Sequence, residues 1–245
     1  MTALTGDLVS KTVYLTKTKC KKHLAKLLFV LQDSPLSQQF FKKDIQSLHG
    51  SLSHVTFVYS RGRAYLNNVI WWLTTFTSDF APRFPPPSVI SDLKWWSTQL
   101  SKPSIIRSLA SRPPPSDLNI WVDASTDWGI GLLINDSWDA WKTFPAWKAP
   151  GRDIGWLEAV AVELIVMLLY EMHLSHLDVL IRSDNEGVIG AFRKGWSRNQ
   201  ETNSCIRRVE AIFEQRDLSI SLLYVESSMN LADPVSRGIL PPFER

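Results

Sequence analysis

Four acidic residues in the second half of the chain stand where enzymes place catalytic carboxylates. Asp123 and Asp184 end the apolar segments LNIWVDA and LDVLIRSD, which the pattern predicts to be buried strands. Glu158 lies early in a long apolar helical pattern, and Asp233 opens the last helical turn. An acid is costly where a buried strand emerges unless it binds something, and active sites of open α/β sheets collect at strand ends.

These carboxylates favour a particular chemistry. Carboxylate oxygens are hard ligands. A set of carboxylates that includes no His or Cys favours Mg²⁺ or Mn²⁺ over zinc. Two such ions about 3.5–4 Å apart can activate a water and stabilise the leaving oxygen of an in-line displacement, as phosphodiester hydrolysis requires. We therefore expect one set of residues to serve both as catalytic groups and as ligands of two ions: Asp123, Glu158, Asp184 and Asp233.

Each acid taken singly also fits a structural role. An Asp at a strand end is usually a turn or cap residue, and a Glu early in a helix usually pairs with the helix dipole. Only the complete set, in this order of elements, favours the metal site. Glu163 is the alternative to Glu158, but it lies five residues later, about 140° around the helix. We favour Glu158 because it is nearer the start of the helix.

The pattern around the acids alternates between strands and helices. Strands are predicted at 118–124, 129–136, 137–147, 177–184 and 218–226, and helices at 156–174, from 186, at 202–215 and from 230. Three antiparallel strands followed by strands reached through helical crossovers form a mixed sheet. We therefore expect an α/β fold whose mixed five-stranded sheet is flanked by helices.

The first half has a helical period instead. Helices are predicted at about 18–32, 42–60, 61–76 and 88–100, which indicates a small all-helical domain before the sheet. Proline clusters at 81–88 and 111–117 are candidate linkers, because proline ends helices and stiffens connections. We place the boundary at the second cluster, which gives domains of residues 1–112 and 117–240.

The two halves also differ in charge. Residues 1–116 contain 15 Lys and Arg against 5 Asp and Glu, whereas residues 117–245 contain 12 against 19. A basic half beside an acidic half fits a phosphate-binding module attached to a carboxylate-rich metal site. The alternative is that these charges serve only solubility and are distributed by chance. Cys20 and Cys205 have no metal-ligand spacing and are expected to be reduced thiols of an intracellular protein, in the cytoplasm or nucleus. No membrane contact and no secretory signal are expected.

The order of these motifs resembles a known family. The segments WVDAS, WLEAVAVELIVMLL, IRSDNEGVI and YVESSMNLADPVSRG are similar to the RNase H domain of retroelement reverse transcriptases, especially DIRS-like elements. Asn230, Ala232, Asp233, Ser236 and Arg237 form the N-x-A-D-x-x-S-R phrase of that class. The resemblance covers roughly residues 40–240, and upstream it extends to the helical thumb or connection region that follows the polymerase palm.

The resemblance implies cleavage of the RNA strand of an RNA–DNA hybrid, with the four acids holding two Mg²⁺ ions and Asn185 near the minor groove. The chain departs from the family pattern in three respects: no His follows His176, Pro234 follows the last acid, and Tyr-x-Asp-Asp is absent. The chain is therefore expected to be a C-terminal fragment of a reverse transcriptase or a piece retained by a host.

Hybrid recognition by this domain would use shape and backbone contacts rather than sequence. The candidate nucleic-acid contacts are Asn185, Arg193, Lys194, Trp196, Arg198, Arg207 and Arg208, with Arg61 and Arg63 in the first half. The alternative for each basic group is an ordinary solvated face.

Three functions remain open. The first is a metal-dependent endonuclease acting on RNA–DNA hybrids. The second is a catalytically silent RNase H-like module that binds nucleic acid or a protein and was retained by a host. The third is a nuclease of the same fold that acts on DNA or structured RNA.

Overall fold

A computed structural model describes residues 5–7, 9–31, 38–111 and 113–240. The chain divides into two compact units, Met1–Ser111 and Arg112–Arg245. The division falls in the second proline cluster. Within the described residues, no helix is long and apolar enough to cross a membrane.

The first unit combines helices with a small sheet. Its helices are α1 (Lys17–Leu31), α2 (Lys42–Val55), a 3-10 helix (Ser60–Leu66), α3 (Asn67–Thr74) and α4 (Pro87–Leu100). Its strands are β1 (Thr5–Asp7), β2 (Thr12–Leu15) and β3 (Ile105–Ser108), which pair antiparallel in the order β1-β2-β3.

The prediction of an all-helical first domain is therefore wrong. Leu15 of β2 pairs with Ile105 of β3, and both side chains are buried in the same core as the helices. Strands of three or four residues carry little periodicity, and their pairing across about ninety residues of chain leaves no local signal.

The second unit is built on a mixed sheet. Its elements are β4 (Ser116–Ala124), β5 (Gly129–Ile134), β6 (Ser137–Lys142), α5 (Ile154–Glu171), β7 (Asp178–Ser183), α6 (Glu186–Lys194), α7 (Gln200–Arg216), β8 (Ser219–Tyr224), a 3-10 helix (Ser227–Met229) and α8 (Asp233–Ser236). The sheet order is β6-β5-β4-β7-β8, in which β4, β7 and β8 run parallel and β5 and β6 pair antiparallel. The expected five-stranded mixed sheet with flanking helices is confirmed.

The two faces of this sheet have different partners. On one face, Val122 of β4 and Ile181 of β7 lie in the main core with Val162 of α5. On the other face, Trp121 packs beside Val235 of α8. Because alternate residues of a strand point to opposite faces, Asp123 lies on the α8 face of β4.

Strand β6 is shorter than predicted. It ends at Lys142 instead of reaching residue 147, and the last bonds to β5's side run from the backbone N–H and the hydroxyl of Thr143 to Trp128 O, at 2.9 and 3.1 Å. Pro145 then has no N–H with which to continue a ladder, and Trp147 turns inward and is buried.

Helix α5 begins two residues earlier than predicted. The Asp153 carboxylate accepts a hydrogen bond from Trp156 N at 2.9 Å, so this residue is the N-cap and the helix starts at Ile154. This start makes Glu158 the fifth residue of the helix and fixes the direction in which its side chain points.

Gly131 of β5 allows α8 to approach the sheet closely. A Cβ at this position would lie 2.4 Å from Ser236 N and 2.8 Å from Ala232 O.

We expect Gly131→Ala to lower the free energy of unfolding in urea by about 1–3 kcal/mol, because backbone atoms must move. Gly190→Ala is the control: it lies inside α6 with nothing within 4 Å of the added Cβ, and should stabilise by about 0.5–1 kcal/mol. Equal effects of the two substitutions would contradict this packing.

Candidate metal centre

Two neighbouring parallel strands bring two of the predicted acids to one edge of the sheet. Asp123 is the penultimate residue of β4, and Asp184 directly follows β7. Because β4 and β7 pair in parallel, their carboxyl ends lie side by side. Glu158 reaches the same edge from α5, which packs against the opposite face of β4 from Asp123.

The three carboxylates converge closely. Single oxygen atoms of Asp123, Glu158 and Asp184 all lie within 4.8 Å of one another. Asp123 and Glu158 are only 3% and 4% exposed, whereas Asp184 is half-buried and opens the cluster toward solvent. We call these three residues the acidic triad.

Burial makes the charges of the triad unfavourable in the protein alone. Desolvation and the neighbouring Asp123 and Asp184 charges raise the pKa of Glu158 to about 9. Burial, with the charges of Asp184 and Asp233, raises the pKa of Asp123 to about 7, against a lowering hydrogen bond from Ser236.

The triad fits a hard divalent cation. Glu158 Oε2 is buried and accepts no hydrogen bond from any described residue. A buried acceptor without a donor is costly, and a cation bound by the triad would compensate both this atom and the repulsion between the carboxylates. An all-oxygen ligand set suits Mg²⁺ or Mn²⁺, the ions expected from the sequence.

Asp123 is held on both of its oxygens by the segment around α8. Asn230 Nδ2 donates to Asp123 Oδ1 at 3.2 Å and to Val122 O at 3.1 Å. Ser236 Oγ donates to Asp123 Oδ2 at 2.5 Å. These two residues belong to the N-x-A-D-x-x-S-R phrase, although the sequence did not predict a role for either of them at the site. Their positions three residues before and three residues after Asp233 were the available signal.

Asp233, the fourth predicted ligand, lies outside the triad. It is the first residue of α8, and its carboxylate accepts hydrogen bonds from Arg237 at 2.8 and 3.0 Å. Its charge nevertheless contributes to the raised pKa of Asp123, so it lies near the cluster. The structure thus brings together three of the four predicted acids.

Glu163, the alternative to Glu158, has a different partner. Its carboxylate is buried and pairs with the Arg208 guanidinium, which donates from Nε to Oε1 and from Nη2 to Oε2, the latter at 2.7 Å. This contact joins α5 to α7. Arg208, predicted to contact nucleic acid, therefore uses its guanidinium within the fold.

The other predicted nucleic-acid residues lie on several elements. Asn185 is the N-cap of α6, where its Oδ1 accepts from Val188 N at 3.1 Å. Among the remaining candidates, Arg193, Lys194 and Arg198 are exposed, and Trp196, Arg207, Arg61 and Arg63 are half-buried. Their binding role stays a prediction.

Sequence patterns did not predict a shallow groove that lies at the same edge of the sheet as the triad. It begins at Thr126 and Asp127, just beyond Asp123, and continues along the segment after β6. Phe144 in this segment is 63% exposed between the exposed Lys142 and Lys148. The segment was predicted to be strand, so its exposed aromatic and basic side chains received no role.

Comparison with known proteins adds no identification. No protein-family model matches the chain, and no curated protein is significantly similar to it in sequence. The case for its function therefore depends on the geometry of the triad and its surroundings.

The raised pKa of Glu158 predicts how stability depends on pH without metal. Its folded-state pKa of about 9 exceeds the ordinary 4.5, so the folded protein holds a proton that the unfolded chain has released. The stability that this proton contributes is fully present at a pH below the ordinary pKa of 4.5. It is lost as the pH rises through the folded-state pKa of about 9. We expect the free energy of unfolding in EDTA to fall from about pH 5 to 9, and Glu158→Gln to remove much of that fall.

Asp136→Asn is the matched control for that measurement. Asp136 is exposed in the turn between β5 and β6, at the end of the sheet away from the triad, and its variant should follow the wild type. Added Mg²⁺ or Mn²⁺ should stabilise the wild type and the control but not Glu158→Gln. Equal stabilisation of all three proteins would rule out Glu158 as a ligand.

Proposed function

We propose that residues 117–240 form a metal-dependent nuclease of the RNase H type that hydrolyses the RNA strand of RNA–DNA hybrids, as in retroelement reverse transcriptases. The observation that carries this proposal is the acidic triad, with its orphaned Glu158 Oε2, at the carboxyl ends of two parallel strands. A mixed five-stranded sheet with three antiparallel strands followed by two parallel ones is compatible with that family. The sequence resemblance supplies the activity and substrate class.

The residues of the chain itself have distinct roles in this proposal. Asp123 is a fixed ligand, because Asn230 and Ser236 hold both of its oxygens. Asp184 is the ligand most open to solvent, and hence to a substrate phosphate. A divalent ion at the triad would supply a Lewis acid and an activated water for phosphodiester hydrolysis.

Basic and aromatic side chains could position the nucleic-acid backbone. The groove at the triad's edge of the sheet carries Lys142 and Lys148, and Arg193 lies about 10 Å along α6 from the helix end next to Asp184. We further propose that the first unit, which carries a net positive charge, is a thumb- or connection-like region that contacts the phosphates.

The activity is tested on four substrates: an RNA–DNA hybrid, double-stranded RNA, double-stranded DNA and single-stranded RNA, each with Mg²⁺ or Mn²⁺. We expect cleavage of the RNA strand of the hybrid, and a loss of at least about 100-fold in Asp184→Asn, because the variant lacks one ligand of the ion that would stabilise the transition-state charge. Asp184 is half-buried, so this variant should fold like the wild type.

Asp136→Asn again serves as the matched acid-to-amide control and should cleave at the wild-type rate. Equal rates of the wild type and Asp184→Asn would contradict the catalytic assignment. Cleavage of double-stranded RNA or DNA in preference to the hybrid would instead favour a different nuclease of this fold. No cleavage of any substrate would favour the silent binding module.

The groove predicts a salt-dependent contribution to binding. We expect Lys142→Gln to weaken binding of an uncleavable 2′-O-methyl-RNA–DNA hybrid and to reduce the slope of log affinity against log salt by about 1, since one phosphate contact is lost. Arg216→Gln is the charge-matched control, because Arg216 lies over the Tyr170 ring near the end of α5 remote from Glu158. Equal salt slopes of the two variants would remove Lys142 from the binding surface.

A further inference from the structure

Asp233 differs from the triad in that a cation of the chain holds its carboxylate. Arg237 Nε lies 3.0 Å from both Asp233 oxygens, and Arg237 Nη2 donates to Oδ1 at 2.8 Å. The donors of the guanidinium therefore occupy acceptor positions that a metal ion would otherwise use. The guanidinium charge also opposes the approach of a second cation.

This ion pair lies at the border of the acidic triad. The single hydroxyl proton of Ser236, the residue before Arg237, is shared between Asp123 Oδ2 and Asp233 O, the latter at 2.9 Å from Oγ. One turn of chain thus anchors the first ligand of the triad and, beside it, carries a fourth carboxylate that is already neutralised.

We propose that Arg237 is a latch that withholds Asp233 from the metal centre until a phosphodiester takes over its guanidinium. This inference rests on the proposed function. In the free protein the triad binds one divalent ion, and Asp233 becomes a ligand of a second ion only when nucleic acid is present. Arg237 is therefore a positioning residue that couples the number of bound ions to substrate.

The exposure of the pair allows such an exchange. The side chains of Arg237 and Asp233 are 55% and 30% exposed, and ion pairs in such positions are weak and easily replaced. A guanidinium binds phosphate with the same planar pair of donors that it uses for a carboxylate. A substrate phosphate can thus form an ion pair with the Arg237 guanidinium, and this exchange releases the Asp233 carboxylate.

The test is a calorimetric titration of the whole chain with Mn²⁺, in the absence of nucleic acid. We expect the wild type to bind one ion tightly and Arg237→Gln to bind a second ion about five-fold more tightly than the wild type does, the factor that corresponds to an ordinary exposed ion pair. Asp233→Asn in the Arg237→Gln background should return the second-ion affinity to the wild-type value or below.

A second titration contains the uncleavable 2′-O-methyl-RNA–DNA hybrid. The hybrid should strengthen second-ion binding in the wild type but much less in Arg237→Gln, in which no latch remains to be released. Arg216→Gln is the charge-matched control, since Tyr170 beneath it lies twelve residues after Glu158, about 18 Å along α5. This control should bind Mn²⁺ as the wild type does, with or without the hybrid.

The outcomes separate the latch from the proposed function. A second-ion affinity that is the same in Arg237→Gln as in the wild type, with first-ion binding lost in Glu158→Gln, would overturn the latch and leave the metal centre standing. Second-ion binding that is unaffected by the hybrid in the wild type would also overturn the latch. A wild type that binds no ion would overturn the proposed function, and the latch with it.

Discussion

The repulsion between carboxylates buried at the end of β4 is the constraint on which the rest of this site depends. Asp123 and Glu158 are almost completely removed from water, and Asp184 lies within 4.8 Å of both. Burial without a counter-charge raises the pKa of both buried acids and leaves one Glu158 oxygen without a donor. A bound divalent cation would resolve all of these costs at once, which is why we propose a metal-binding rather than a structural role for the cluster.

The fold of the second unit serves this arrangement from both faces of its sheet. Helix α5, capped by Asp153, brings Glu158 over one face. The α8 segment on the other face binds Asp123 through Asn230 and Ser236. The parallel pairing of β4 and β7 then sets Asp184 beside Asp123. A shift of any one of these elements would separate the carboxylates. The geometry of the site therefore depends directly on the packing of the unit.

The sequence predicts the triad and the mixed sheet because both depend on local patterns, namely apolar strands that end in an acid and a strongly apolar helix. It does not predict that Asp233 is paired with Arg237, since the choice between metal ligand and ion pair depends on side-chain positions. The sheet that joins Leu15 to Ile105 escapes prediction because its strands are short and distant in sequence. Phe144 was assigned to a strand because alternation continues past Lys142, although Pro145 ends the pairing.

The central claim is that the acidic triad binds a divalent metal, and anomalous diffraction from crystals soaked in Mn²⁺ tests it most directly. We expect a Mn²⁺ peak bonded to oxygens of Asp123, Glu158 and Asp184, and no such peak in crystals of Glu158→Gln soaked in the same way. Wild-type crystals that diffract well and carry no manganese among these three carboxylates, at Mn²⁺ concentrations that fill other metalloenzymes, would contradict the account.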